Sequence, residues 1–302
     1  MIFTKAILDI GVIFVTVMIM VAVGMELEPR HFRDLWLRKR LLLVTLASQL
    51  VVLPALGFAL TRLMMLHSHI NAGILLLAAC PVGDIANLYT YLARGNVALS
   101  VSVNTFSCLL TMLTMAVIFA VYDLVLGEHF VLAVPTLTLV VRLTLMVVLP
   151  VLTGMMIHRC NPGGVKRHAR IIRNGSIGGV AFLVLYVMLT QRQQLATDWQ
   201  QTALAGAVFM TLAMLSGLTL GRMLKVKAAD GITLGFIFAA RNVGLATAIA
   251  VTILNRVEYA VFAVVYFLTE VPILLGAVAV HRTWFAGGPM PEQQASDRGT
   301  NG

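Results

Sequence analysis

Three ionisable side chains, Asp84, Arg241 and Glu270, lie in the middle of long apolar stretches of this sequence. A charged group inside a bilayer costs about 2.5–3.5 kcal/mol on insertion scales, so such residues line a cavity or meet a partner. The forked donors of an arginine suit a carboxylate, and buried carboxylates bind cations or protons. These residues therefore predict a site for an organic anion or an ion within a membrane. Arg142 also lies in an apolar stretch, where we expect it to reach the lipid headgroups.

Asp84 lies in the segment Cys80–Asn87, whose composition is unfavourable for a continuous helix. Pro81 removes a backbone donor and clashes with the preceding turn, and Gly83 lowers the cost of unwinding. A helix broken at mid-membrane would present carbonyl groups and helix ends that bind ions and anions. The segment predicts either a broken helix that forms part of a site or a simple proline kink.

A second segment of this kind surrounds Arg241, which is followed by Asn242 and has Gly244 nearby but no proline. The two segments lie in apolar spans that run in opposite directions, and each carries an asparagine near its middle. That arrangement is typical of an inverted repeat with the binding site where the repeats meet. We predict a second helix break at Gly244. The predicted substrate-binding residues are Asp84, Asn87, Arg241, Asn242 and Glu270.

The composition places the chain in a membrane. Of its 302 residues, 59% are hydrophobic and only 12% are charged, about half the charged fraction of a soluble domain. Too few polar residues remain to cover the surface of a soluble protein of this length. This excludes an ordinary soluble enzyme, a disordered chain and a secreted disulfide scaffold.

Nine apolar segments are long enough to cross a bilayer, and they predict an all-α polytopic membrane protein. The predicted spans, named A to I, are 6–25, 41–61, 71–93, 97–121, 130–157, 174–191, 201–221, 231–254 and 259–280. They form one transmembrane domain over 1–286, followed by a disordered cytoplasmic tail over 287–302. Spans C and H are the broken ones. Repeat one would cover 1–122 and repeat two 129–286, so that repeat one, with four spans against five, lacks its first helix.

The basic residues predict an orientation. With the N-terminus outside, sixteen of the 22 Lys and Arg residues fall on the cytoplasmic side, as the positive-inside rule requires. Topology thereby explains the net charge of +9, and we expect no nucleic-acid partner. We predict a multi-pass protein of the inner (plasma) membrane with a cytoplasmic C-terminus. Its partners would be the lipid bilayer and a small organic anion, and its oligomeric state is open.

The histidines argue against an intramembrane enzyme. Each lies at a span edge or in a loop, and no HExxH motif occurs. We expect neither catalytic residues nor an organic cofactor. His67 and His69 are expected to lie in a solvated outer loop. A non-transporting membrane sensor or channel is the alternative to a transporter.

The stretch Asn87–Ser100 reads NLYTYLARGNVALS, and the stretch Arg241–Ala246 reads RNVGLA. In these stretches, and through nearly the whole chain, the sequence resembles the bile acid:sodium symporter family. The resemblance implies an inverted-repeat transporter fold in which two broken helices, here spans C and H, cross in a core domain beside a panel domain. The core would comprise 41–121 and 201–280, and the panel 6–25, 130–157 and 174–191. The implied substrates are organic anions, either bile-acid-like sterol conjugates or small carboxylates. The implied mechanism is alternating access coupled to two sodium ions.

Departures from the family's motifs bear on sodium. The resemblance implies that one sodium site keeps Asn87, Ser100 and Asn104, the last in place of a threonine. The glutamate that touches both sodium ions in the family aligns with Ile237, and a glutamine aligns with Arg241. Sodium prefers oxygen ligands, and an arginine side chain has no acceptor. We therefore expect sodium coupling to be reduced to one ion or absent.

Two roles for Arg241 remain open. Its tethered charge could replace a sodium ion and pair with Asp84 or with a substrate carboxylate. Alternatively, Arg241 and Asp84 could form a permanent structural ion pair with no part in transport. The coupling ion is open as well, since Asp84 or Glu270 could carry a proton in place of Na⁺.

Overall fold

The computed structural model describes residues 2–25, 39–126 and 136–285, and in these ranges the chain is almost entirely helical. Helices are expected because a bilayer offers no partner to an unpaired backbone amide, so each segment must satisfy its own. The helices are α1 Ile2–Met25, α2 Lys39–Leu63, α3 Ser68–Ala79, α4 Ile85–Leu92, α5 Val97–Leu126, α6 Thr136–Leu143, α7 Leu149–Cys160, α8 Pro162–Thr190, α9 Arg192–Met223, α10 Ala228–Ala239, α11 Val243–Ala248 and α12 Ala260–Phe285. The predicted tail over 287–302 lies outside the described residues.

Two short π-helical stretches and one 3-10 turn connect some of these helices. Thr144–Val148 joins α6 to α7, and Ile249–Ile253 extends α11. Val257–Tyr259 is a 3-10 turn that leads into α12. Every predicted span overlaps a described helix, and span F begins earlier than expected, at Pro162. The part of span E over 130–135 lies outside the described residues.

The chain is a multi-pass membrane protein. Four helical segments are long and apolar enough to cross a bilayer: Lys39–Leu63, Val140–Cys160, Arg192–Met223 and Val257–Thr283. Two bent pairs qualify if each pair is one span. They are Val97–Thr111 with Leu113–Tyr122, bent by 64°, and Pro162–Ala169 with Asn174–Thr190, bent by 59°. The count of nine spans stays a prediction.

Spans C and H are interrupted at mid-length. Span C is helical as α3 up to Ala79 and resumes as α4 at Ile85, and span H is helical as α10 up to Ala239 and resumes as α11 at Val243. The first gap contains Pro81, which explains the interruption, whereas the second contains no proline. A broken helix, rather than a simple kink, is the form that both spans take.

Left-handed residues occupy matching places around the two broken spans. Met65 (φ 47°) precedes α3 and Lys225 (φ 50°) precedes α10, each three residues before the helix begins. Arg94 (φ 56°) follows α4 and Asn255 (φ 51°) follows the π extension of α11, each two residues after the helical segment ends. The chain thus turns in the same way at the two ends of each broken span.

Glycines allow two pairs of helices, α1 with α7 and α9 with α10, to pack closely. A Cβ on Gly24 of α1 would lie 2.1 Å from the carbonyl oxygen of Val151 in α7, and a Cβ on Gly154 of α7 would lie as close to that of Val21. Gly217 of α9 approaches α10 in the same manner, at 2.2 Å from the carbonyl oxygen of Leu234. Small residues at such contacts let membrane helices gain packing energy that larger side chains would prevent.

Candidate functional site

The two helix breaks cross and bond to each other. Val82 and Arg241 form an antiparallel bridge. The N–H of Gly83 donates to the carbonyl oxygen of Ala240 at 3.1 Å, and the N–H of Asn242 donates to that of Pro81 at 3.0 Å. Backbone groups freed by the two breaks therefore satisfy one another, as groups buried away from water must. We call this contact the crossover.

The three residues predicted to break helices have different roles. Pro81 and Gly83 lie in the first gap, and a Cβ on Gly83 would stand 2.6 Å from the carbonyl oxygen of Arg241, so only glycine permits the crossover there. Gly244 instead lies in the first turn of α11, after the break, and a Cβ there would meet Val180 at an ordinary 3.7 Å. Asn242 is the N-cap of α11, because its Oδ1 accepts from the N–H of Leu245 at 2.9 Å.

Four polar residues predicted for substrate or sodium come together between α4 and α5. The Oγ of Ser100 donates to the Oδ1 of Asn87 at 2.7 Å, and the Nδ2 of Asn104 donates to the Oδ1 of Asp84 at 2.5 Å. Ser100 and Asn104 are buried and one turn apart on α5, facing Asp84 and Asn87, which are half-buried at the start of α4. This group, which we call the oxygen cluster, holds one carboxylate, two amides and one hydroxyl.

Arg241 is buried at the crossover without an ion-pair partner. Its side chain is 4% exposed, and its Nε and Nη1 lack hydrogen-bond partners among the described residues. In the described part of the chain, no nitrogen of Arg241 comes within 4.0 Å of a carboxylate oxygen of Asp84 or Glu270. A permanent Arg241–Asp84 ion pair is therefore not formed, because Asp84 bonds to Asn104 on α5 instead.

Glu270 lies within electrostatic range of Arg241. It is fully buried on α12, and both of its carboxyl oxygens lack a hydrogen-bond partner in the described residues. One turn earlier, the hydroxyl of Tyr266 donates to the carbonyl oxygen of Ala239 at 2.5 Å, which ties α12 to the end of α10. The hydroxyl of Tyr89 on α4 is also buried and finds no hydrogen-bond partner among the described residues. The interior beside the crossover thus contains ionisable and polar groups that no described neighbour satisfies.

Sequence reasoning missed Gln49, a buried amide in predicted span B. Its Nε2 donates to the carbonyl oxygen of Ile237 at 3.1 Å. A polar side chain inside an apolar span was the available signal. Arg142, expected at the lipid headgroups, is exposed and donates from Nη1 to the carbonyl oxygen of Ile253 at 3.1 Å. It therefore binds the C-terminal end of the π extension of α11.

The two histidines that were predicted to lie in an outer loop are paired with a buried aspartate. Asp198 of α9 lies 3.3 Å from the Nδ1 of His67 and 2.9 Å from the Nε2 of His69, and the two imidazole rings stack. His67 is largely exposed, but His69 lies within α3 and is mostly buried. The expectation of a simple solvated loop was therefore incomplete. The cluster fastens the start of α3 to α9.

Comparison with known proteins shows to which protein family the chain belongs. The model of the sodium bile acid symporter family matches residues 13–198. The chain is 27% identical over 231 residues to a probable sodium/metabolite cotransporter, BASS1, of Arabidopsis thaliana, covering 76% of this chain and 56% of that protein. It is 24% identical over 249 residues to an uncharacterized sodium-dependent transporter, YocS, of Bacillus subtilis (82% and 76%). It is 27% identical over 172 residues to the ileal sodium/bile acid cotransporter of Mus musculus (57% and 48%).

These matches describe an all-α membrane protein of a transporter family, not of an enzyme family. The chain belongs to the sodium bile acid symporter family, as the motifs at Asn87–Ser100 and Arg241–Ala246 had indicated. It spans about half the length of the Arabidopsis relative.

Proposed function

We propose that this protein is a secondary transporter that moves an organic anion by alternating access. The carrying observation is the buried, unpaired guanidinium of Arg241 at the crossover, because an uncompensated charge in a low-dielectric interior is costly until an anion joins it. The family supports transport, and the relatives are named as cotransporters of sodium with a metabolite or with bile acid. The cargo class is therefore a bile-acid-like sterol conjugate or a small carboxylate.

The proposed architecture is a nine-span inverted repeat in a single transmembrane domain over 1–286, with repeats at 1–122 and 129–286. The matching helix breaks of spans C and H and the matching left-handed residues around them support it. In this proposal α2 to α5 and α9 to α12 form the core, while α1, α6, α7 and α8 form the panel. The N-terminus lies outside and the C-terminus in the cytoplasm, in a plasma membrane.

Sodium coupling is reduced to one ion in this proposal. The oxygen cluster of Asp84, Asn87, Ser100 and Asn104 supplies the oxygen ligands that a hard cation prefers, and Asp84 contributes the negative charge that Ile237 cannot. Arg241 stands where a second sodium ion would need acceptors, and its fixed charge takes over that role. Asn242 and Glu270 complete the surroundings of the anion.

Uptake into proteoliposomes tests the transporter. We expect saturable uptake of at least one anion from a panel of short carboxylates and bile-acid conjugates, with one sodium ion per anion. Exchange that saturates identifies a carrier, whereas linear flux identifies a channel. Binding without flux identifies a non-transporting sensor, and either of the last two results contradicts the proposal. Two-ion stoichiometry contradicts the reduced coupling.

Replacing Asp84→Asn tests the sodium site. Loss of one charged ligand, worth about 1.5–3 kcal/mol, is expected to raise the sodium concentration for half-maximal uptake by about tenfold or more. The matched control is Asp198→Asn, which neutralises another buried carboxylate away from the oxygen cluster. Equal sodium dependence in Asp84→Asn and the unaltered protein would remove Asp84 from the site.

A further inference from the structure

A crevice of about 240 Å³ opens between α2, the end of α3 and α5. Its walls are mostly apolar, and the leucines Leu43, Leu50 and Leu110 are exposed at them. Among the described residues that line the crevice, Arg241 is the only charged one. The crevice therefore joins an apolar slot to Arg241 at the crossover.

The other polar side chains of the lining, Gln49, Ser107 and Thr114, each already donate a hydrogen bond. The Nε2 of Gln49 donates to the carbonyl oxygen of Ile237, and the hydroxyl of Ser107 donates to that of Asn104 at 2.8 Å. The hydroxyl of Thr114 donates to the carbonyl oxygen of Thr111 at 3.3 Å. Arg241 is different, because its Nε and Nη1 are buried and unpartnered in the described residues. A ligand in this crevice would meet one strong point of attachment, and that point is cationic.

We propose that this crevice binds a small organic carboxylate with a short apolar tail, whose carboxylate pairs with Arg241 and whose tail lies along the leucines. Two parallel N–H donors of a guanidinium match the two oxygens of a carboxylate. The volume is smaller than the roughly 300–1,000 Å³ of sites for drug-sized ligands, which favours a short apolar tail over a steroid nucleus. The inference rests on the proposed function and chooses the short carboxylate over the sterol conjugate as cargo.

Protection of an engineered cysteine tests the site directly. The exposed native thiol is first removed by Cys160→Ser, and Cys80 and Cys108 are buried. Thr114→Cys then places a thiol in the crevice. Ser176→Cys is the matched control, since Ser176 lines a separate groove between α1 and α8 and, like Thr114, donates to a carbonyl of its own helix. Purified protein in a neutral detergent is labelled with N-ethylmaleimide in the presence of hexanoate.

We expect hexanoate to slow labelling at position 114 and not at position 176. Adding Arg241→Gln should raise the hexanoate concentration for half-protection by about tenfold to a hundredfold, the loss of a charged hydrogen-bonded pair. Unchanged labelling of Ser176→Cys in the Arg241→Gln background reports an intact fold. If that labelling changes, Arg241→Lys is used in place of Arg241→Gln, because lysine keeps the positive charge but lacks the forked pair of N–H donors. An intermediate loss of protection by hexanoate is then expected.

Three results would contradict the proposed carboxylate site. They are equal protection at both positions, protection that survives Arg241→Gln, and protection at position 114 by taurocholate or phosphatidylglycerol but not by hexanoate. The uptake assay separates the two proposals. Anion uptake without protection by hexanoate defeats this inference alone, whereas protection without any anion uptake leaves the site standing and defeats the transporter.

Discussion

At the scale of single residues, the interior beside the crossover is defined by one basic and one acidic side chain that, in the described part of the chain, do not form an ion pair. Arg241 and Glu270 are both buried, and they lie within electrostatic range but more than 4.0 Å apart. Attraction across such a gap is stronger in a protein interior than in water. When it is ionised, Glu270 therefore competes with a bound anion for the guanidinium.

Removing the charge of Glu270 should strengthen anion binding. We expect Glu270→Gln to lower the hexanoate concentration for half-protection of Thr114→Cys by about fivefold, or about 1 kcal/mol, because the competing charge is lost. Glu258→Gln is the control, since it neutralises a surface carboxylate paired with Arg256 at 3.3 Å, away from the crossover. Weaker binding in Glu270→Gln would show instead that Glu270 helps to hold the ligand.

At the scale of elements, the crossover depends on how closely two interrupted helices approach. Sequence alone indicated the first break through Pro81 and placed the second at Gly244, whereas the second break lies just before that residue, where the N–H of Asn242 donates to the carbonyl oxygen of Pro81. Gly83 is the residue that permits this contact. The geometry of the site therefore depends on a backbone approach that a single methyl group would prevent.

Gly83→Ala should disturb the crossover. The added Cβ would lie 2.6 Å from the carbonyl oxygen of Arg241, so the two breaks must move apart, and we expect the free energy of unfolding to fall by about 1–3 kcal/mol. Thermal unfolding in detergent and anion uptake are the measurements, and both should decline. Gly276→Ala on α12 is the control, because a Cβ there meets open space. Equal stability of the two variants would contradict the close contact.

At the scale of the whole molecule, orientation follows from the distribution of basic residues. Sixteen of 22 would lie on the cytoplasmic side of the proposed topology. Helix α8 offers a direct check, because the free thiol of Cys160 is exposed just before it begins and Gln193 is exposed just after it ends. If α8 spans the bilayer, these two positions lie on opposite sides.

A membrane-impermeant maleimide should report that orientation in intact cells. We expect native Cys160 to be labelled only after the membrane is permeabilised, and the thiol introduced by Gln193→Cys in a Cys160→Ser background to be labelled without permeabilisation. The buried Cys80 and Cys108 should contribute little signal. Reversed accessibility would reverse the topology, and labelling of both positions from outside would show that α8 does not cross.

The sequence determined the class of the protein and the place of its site. Few charges among many apolar residues leave a membrane protein as the class that fits, and the three charges inside spans marked the crossover, since lipid accepts them only at a site. The tertiary structure decided which of these groups meet. Asp84 bonds to Asn104 and Arg241 stays unpaired beside Glu270, although sequence reasoning had considered an Arg241–Asp84 pair. Local composition predicts where a helix breaks, but partners are chosen by the packing of helices distant in the chain, and no local pattern encodes that packing.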